Sequence, residues 1–138
     1  MIDDQVIYSF KAELGGDFKA AIAQVLEALK KAEFAILSDA DLGSILPAAG
    51  APEYHVISVC RPKLMQQALK DDPDIGLLFP SQVIVRRDPQ RNVVVAAFID
   101  LVSVLALTNN PEMTRLGWEE RGQLERVRDA LAGGSLGH

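Results

Sequence analysis

The sequence predicts an α+β domain: two layers, with a largely antiparallel sheet of about five strands and helices packed on one face. Three observations lead there. Short β-branched runs alternate with stretches of helical apolar spacing, in the order strand-helix-strand-strand-helix-strand-strand-helix-helix. Residues 87–91 form a turn of hairpin length between two valine-rich runs, which makes that pair antiparallel. The chain has 138 residues, 49% of them apolar, which suits one domain with one core. The expected core spans roughly residues 5–132, with a mobile tail at 133–138.

The first strand is read from Val6, Tyr8, Phe10 and Ala12 alternating with Ile7, Ser9, Lys11 and Glu13. Gly15 and Gly16 end it, and Asp17 is placed to cap the helix that follows. Phe18, Ala21, Ile22, Val25, Leu26 and Leu29 recur at helical spacing, and burial of the four large aliphatic residues should stabilise by roughly 1.5–3 kcal/mol each. Lys30 and Lys31 suit the negative end of that helix. Phe34 to Leu37 reads as a short strand, and Asp39 to Ala51 as a loop with a single turn at Leu42 to Leu46. Tyr54 to Cys60 is a β-branched strand, and Pro62 opens a helix with Leu64, Met65, Ala68 and Leu69 on its apolar side, ending near Asp71 to Pro73. Ser81 to Arg86 and Asn92 to Ile99 are the hairpin strands, and Asp100 caps a helix through Leu107. The last helical region opens at Asn110-Pro111, has Met113, Leu116, Trp118, Leu124, Val127 and Leu131 as its apolar positions, and stops at Gly133 and Gly134.

The strand Asn92 to Ile99 is apolar on both sides: Val93, Val95 and Ala97 face one way, Val94, Ala96 and Phe98 the other. One side can take the chain's own helices. The other is covered either by a second subunit, giving a homodimer, or entirely within the monomer.

Charge and composition exclude several functions. A net charge of −5 offers no overall footprint for nucleic acid or an anionic membrane. The most apolar window, Val93 to Leu107, is broken by Asp100 and Ser103 and falls short of the roughly 20 residues that span a bilayer. No signal peptide is legible at the N-terminus, and one cysteine cannot form an internal disulfide; together these give the expectation of a soluble cytoplasmic protein. One cysteine and two histidines supply no zinc quartet, and Asp71, Asp72 and Asp74 lack calcium-loop spacing, so neither metal nor cofactor is expected. Gly15-Gly16 matches no phosphate-binding fingerprint.

Cys60 is the first candidate for chemistry. It closes a strand just before a helix N-terminus, where the dipole can stabilise a thiolate, and the alternative is a small buried hydrophobe. His55 lies five positions earlier on the same strand and so points to the other face. Among the arginines, Arg121 and Glu125, and Glu125 and Arg128, fall at helical pair spacing on a solvated face, while Arg86, Arg87 and Arg91 on the hairpin could meet an acidic partner.

At Cys60-Arg61-Pro62, Asp72-Pro73, Gly76 to Ser81 and the valine-rich hairpin from Val83 to Val95, the chain resembles the domain-of-unknown-function 302 family of bacteria and archaea. The resemblance covers roughly residues 5 to 105 and implies a small dimeric α+β domain without an assigned activity. Two positions depart from the family pattern. Phe79 replaces a leucine, and Ser81 stands where the family has a second cysteine, so a two-thiol redox or metal role does not carry over and Ser81 is left as a hydroxyl donor beside Cys60.

The function expected is therefore a non-catalytic, dimeric ligand-binding or accessory domain, with Cys60, Arg61, Pro80, Ser81 and Tyr54 as candidate contacts for a small molecule. The alternatives are an enzyme using Cys60 as a reactive thiol and an interaction scaffold docking through the basic hairpin.

Overall fold

The structure, a computed structural model, describes residues 8–46 and 53–136. Five strands, β1 (Ser9–Leu14), β2 (Ala35–Asp41), β3 (Tyr54–Cys60), β4 (Ser81–Asp88) and β5 (Val93–Ile99), form one sheet in the order β1-β5-β4-β3-β2, with every neighbouring pair antiparallel. Four helices accompany it: α1 (Phe18–Lys31), α2 (Pro62–Asp71), α3 (Leu101–Leu105) and α4 (Pro111–Leu136). This is the α+β architecture expected. Among the described residues no helix is long and apolar enough to cross a membrane.

The core has two parts. The larger lies between one face of the sheet and the helices α1 and α4. Leu14, Ile57, Val83, Val85, Val94 and Phe98 from the strands meet Val25 and Leu29 of α1 and Leu124 and Val127 of α4. The smaller gathers Leu64 and Ala68 of α2, Ile75, Phe79, Leu101 and Leu105, and Met113 and Leu116 of α4. It sits at the end of the sheet where β3 and β5 finish and β4 begins.

The local signals explain most boundaries. Asp17 caps α1 by accepting from the Ala20 N–H at 2.9 Å, and Asp100 caps α3 through the Val102 N–H at 3.0 Å. Pro62 occupies the first turn of α2. At the far end of α1 the Phe34 N–H reaches the Leu29 carbonyl at 3.0 Å and the Glu33 N–H reaches Lys30 at 2.9 Å, with Glu33 in the left-handed region at φ 68°.

Four expectations need correction or division. Residues 39–41, read as loop, continue β2, because Asp39, Ala40 and Asp41 pair with Ile57, Val56 and His55, and the His55 ring hydrogen-bonds the Asp39 carboxylate. The last helix does not stop at Gly133 and Gly134 but runs to Leu136, since propagating a helix already this long tolerates the cost of about 1 kcal/mol per glycine. Trp118, read as an inward position, is 56% exposed beneath the Arg121 guanidinium. The basic hairpin is divided: Arg87 is held by Glu53 at 2.6 Å and Arg91 by Glu13 at 2.6 Å, leaving Arg86. The reading of Val6 and Ile7 as strand, part of the loop at 47–52 and the last two residues lie outside the described residues.

Both faces of β5 are covered as its sequence requires, but differently. Val94, Ala96 and Phe98 lie under α1 and α4. Val95 and Ala97, 2% and 7% exposed, sit between Glu13 and Lys11 of β1 and Arg86 and Ile84 of β4, their cross-strand neighbours on the face that carries neither α1 nor α4.

Candidate functional site

The end of the sheet shared by β3, β4 and β5 brings together the one cysteine and a buried carboxylate. Val59 pairs with Ser81, so Cys60, the last residue of β3, stands one position beyond the cross-strand partner of Ser81, the first of β4. Ser81 lies on the helix-covered face with Val83 and Val85. There α4 crosses it and presents Glu120, and the Ser81 hydroxyl donates to Glu120 Oε2 at 3.1 Å. Ser81 and Glu120 are both fully buried.

The electrostatics follow from that burial. A carboxylate removed from water prefers its neutral form, so Glu120 is pushed up to about 7; the Ser81 hydroxyl and the Arg61 guanidinium oppose this only in part. Cys60 is buried as well, and its thiol is pushed up first by burial and then by the charge of Glu120. The dipole of α2, expected to favour a thiolate, is outweighed by these two effects.

Two polar atoms here are closed to solvent and make no hydrogen bond to the protein: Glu120 Oε1 and Arg61 Nε. Arg61 is the residue before Pro62, and α2 begins without a side-chain cap from it. Arg61 also lines a cleft of about 450 Å³ between the end of α1 and the second half of α4, together with Lys31, Glu33, Gln123, Arg126 and Val127. The arrangement thus joins a buried acid, a hydroxyl and a neutral thiol to a guanidinium that opens onto a cleft.

Of the residues singled out from sequence, Cys60, Arg61 and Ser81 meet here, and the half-buried Pro80 immediately precedes Ser81. Tyr54 does not. It begins β3, six residues or about 20 Å from Cys60 along the strand. It lines a separate depression of about 380 Å³ on the face opposite α1 and α4, with Tyr8, Lys11, Gln82, Ile84 and Arg86.

Glu120 escaped sequence reasoning because its neighbours Glu119 and Arg121 made the segment read as a solvated face. A signal was present. Met113, Leu116, Glu120, Leu124, Val127 and Leu131 step by three and four, so Glu120 is the one charged residue on the inward stripe of α4. A charge at a core position demands partners, and its environment then becomes a candidate site.

Comparison with known proteins adds the family. The crystal structure of an uncharacterized conserved protein DUF302 from Bacillus stearothermophilus is similar in fold, with a TM-score of 0.81 at 14% sequence identity, covering 91% of this chain and 99% of that one. No curated protein matches the sequence. The family model described as domain of unknown function DUF302 matches residues 10–131, a span that holds the strand-end cluster, α4 and Glu120 together, and the chain belongs to that family.

Proposed function

We propose that this chain is a non-catalytic small-molecule-binding domain whose site lies at the β3–α2 junction and the middle of α4. One observation carries the reading. Arg61 Nε, a donor, and Glu120 Oε1, an acceptor, are both shut from solvent and without a protein partner, the two such side-chain atoms among the described residues. Leaving such groups unpaired costs about 1–3 kcal/mol each, and more for charged ones, whereas a guest with complementary polar atoms recovers that energy on binding. The cleft of about 450 Å³ that Arg61, though not Glu120, lines falls in the size range of small-molecule sites.

The thiol reading is less well supported, because a nucleophilic cysteine needs a lowered pKa and access, while Cys60 is buried and its pKa is raised. Native mass spectrometry of the purified protein, beside its denatured mass, tests the binding reading. Non-covalent mass retained by wild type and lost in a Glu120→Gln, Arg61→Gln double variant is the expected outcome. A bare protein that no member of a small-molecule library stabilises against heat would overturn it.

A second reading, a homodimer, is favoured by a different observation. The sheet face opposite α1 and α4 carries Tyr8, 64% exposed, and half-buried Tyr54 and Ile84 around its depression. Charges of both signs, Lys11 and Arg86 with Glu13, lie on the same face, so a two-fold partner can match them. The same native spectrum reads the subunit count.

A further inference from the structure

We infer that the cleft between the end of α1 and the second half of α4 binds a small organic anion, a phosphate monoester or a carboxylate, through the guanidinium groups of Arg61 and Arg126 and the ammonium group of Lys31. This rests on the binding reading above and specifies its ligand class.

The chain pairs its arginines unevenly. All eight arginines lie among the described residues. Five have carboxylate partners: Arg87 with Glu53, Arg91 with Glu13 and Asp88, Arg115 with Glu112 and Glu119, Arg121 with Asp100 and Glu125, and Arg128 with Asp129. Among the described residues three form no close ion pair, Arg61, Arg86 and Arg126, although the Arg61 guanidinium acts on Glu120 at longer range. Two of those three line one cleft, and Lys31, which forms no ion pair among the described residues, lines it with them. Acids are not in short supply, since the chain carries 19 of them against 14 lysines and arginines. Unpaired cations at one concave place in an acidic protein are the electrostatic counterpart of an anionic ligand.

The cleft's shape agrees. Ala28, Ala32 and Ala130 line it with small side chains, which opens about 450 Å³ without a large apolar wall. That suits a compact polar molecule better than an extended apolar one. Guanidinium groups match planar, bidentate oxygen pairs, the geometry of carboxylate and phosphate. Glu33 is the one acid lining the cleft, leaving a net charge of two positive units.

The test is a titration of the full chain followed by amide NMR shifts, with inorganic phosphate, glucose 6-phosphate and citrate, and with glucose as the neutral counterpart. The expected result is saturable shifts at residues 28–33, 61–63 and 123–130 with at least one anion and none with glucose. Arg61→Gln and Arg126→Gln should each weaken binding about 10- to 100-fold, as loss of a charged hydrogen bond predicts, while Arg115→Gln leaves it unchanged. Glucose 6-phosphate against citrate separates phosphate from carboxylate recognition. Shifts that the two arginine variants leave unaltered, or no response to any anion, would overturn the inference. A neutral compound that shifts Cys60, Ser81 and Glu120 while the anions leave the cleft untouched would overturn it yet keep the binding reading; a protein silent to every compound and bare in the native spectrum would end both.

Discussion

Glu120 occupies a place in α4 where the helical repeat calls for an aliphatic side chain, and its chemistry makes the protein's stability depend on pH. The carboxyl is pushed up to about 7 in the folded chain against an ordinary value of 4.5. The folded state therefore holds this proton more tightly than the unfolded one. Its contribution is fully present below about pH 4.5 and is lost as pH rises through about 7, a difference on the order of 3 kcal/mol. Arg61 and Ser81 oppose the shift, and Cys60 stays a neutral thiol across that range, so no neighbouring group reverses the sign. Urea unfolding at pH 5 and pH 8 should show wild type weaker at pH 8. Glu120→Gln should flatten the dependence and be the more stable protein at pH 8; parallel curves for the two proteins would contradict this account. The same burial governs the thiol. Iodoacetamide at pH 8 should modify native Cys60 at least about tenfold more slowly than a free cysteine, with full reactivity restored in denaturant, because both thiolate formation and access are suppressed. Alkylation of the native protein at the free-cysteine rate would revive the enzyme reading.

Among the elements, α4 supplies a contrast that tests its packing. Gly117 and Gly122 both lie inside it, and glycine in a helix interior is about 1 kcal/mol worse than alanine. At Gly122 an added Cβ meets nothing within 4 Å, so Gly122→Ala should stabilise by roughly 0.5–1 kcal/mol. At Gly117 the Cβ would stand 3.3 Å from the Leu101 carbonyl oxygen and 3.3 Å from Val102 Cα, backbone atoms at the start of α3. There the crowding should cancel the propensity gain and make Gly117→Ala destabilising by about 1 kcal/mol. Thermal melts of the two variants should move in opposite directions, and equal gains would show that α3 is not closely seated. The contrast marks where the sequence was readable. Caps and breakers are local, so Asp17, Pro62 and Asp100 announced their helices. Period-two alternation announced β1, β-branched runs and a turn of hairpin length announced β3, β4 and β5, and the apolar stripe announced α1. The extension of β2 to Asp41 was hidden, because it depends on pairing with β3 and on His55 meeting Asp39, neither of which is local. Glycine at 133 and 134 read as a stop, although a long helix can continue through it. The candidate site was half legible for the same reason: Cys60 and Ser81 stand at strand ends visible in sequence, whereas Glu120 joins them only once α4 is laid across the sheet.

At the scale of the whole molecule the proposed homodimer turns on what the second face of the sheet still offers. The two-sided apolar pattern of β5 suggested a partner, yet Val95 and Ala97 are already hidden beside the long side chains of β1 and β4, so that strand alone does not require one. The case rests instead on the ring around the depression, where Tyr8, Tyr54, Ile84 and Arg86 combine aromatic, aliphatic and guanidinium surface. Tyrosine and arginine are enriched in protein interfaces, and an isologous pairing would use this patch twice. Ile84 is the useful probe because it is half-buried and lies on the face away from α1 and α4, so changing it leaves the main core intact. Ile84→Lys places a third cation between Lys11 and Arg86, which repels a second copy bearing the same change. Wild type should give a dimer mass by light scattering at micromolar concentration. Ile84→Lys should give a monomer whose far-ultraviolet circular dichroism matches wild type and which retains the anion-induced shifts at the α1–α4 cleft. A wild-type monomer at every concentration would remove the dimer while leaving the ligand site standing, since the cleft and the second sheet face share no lining residue.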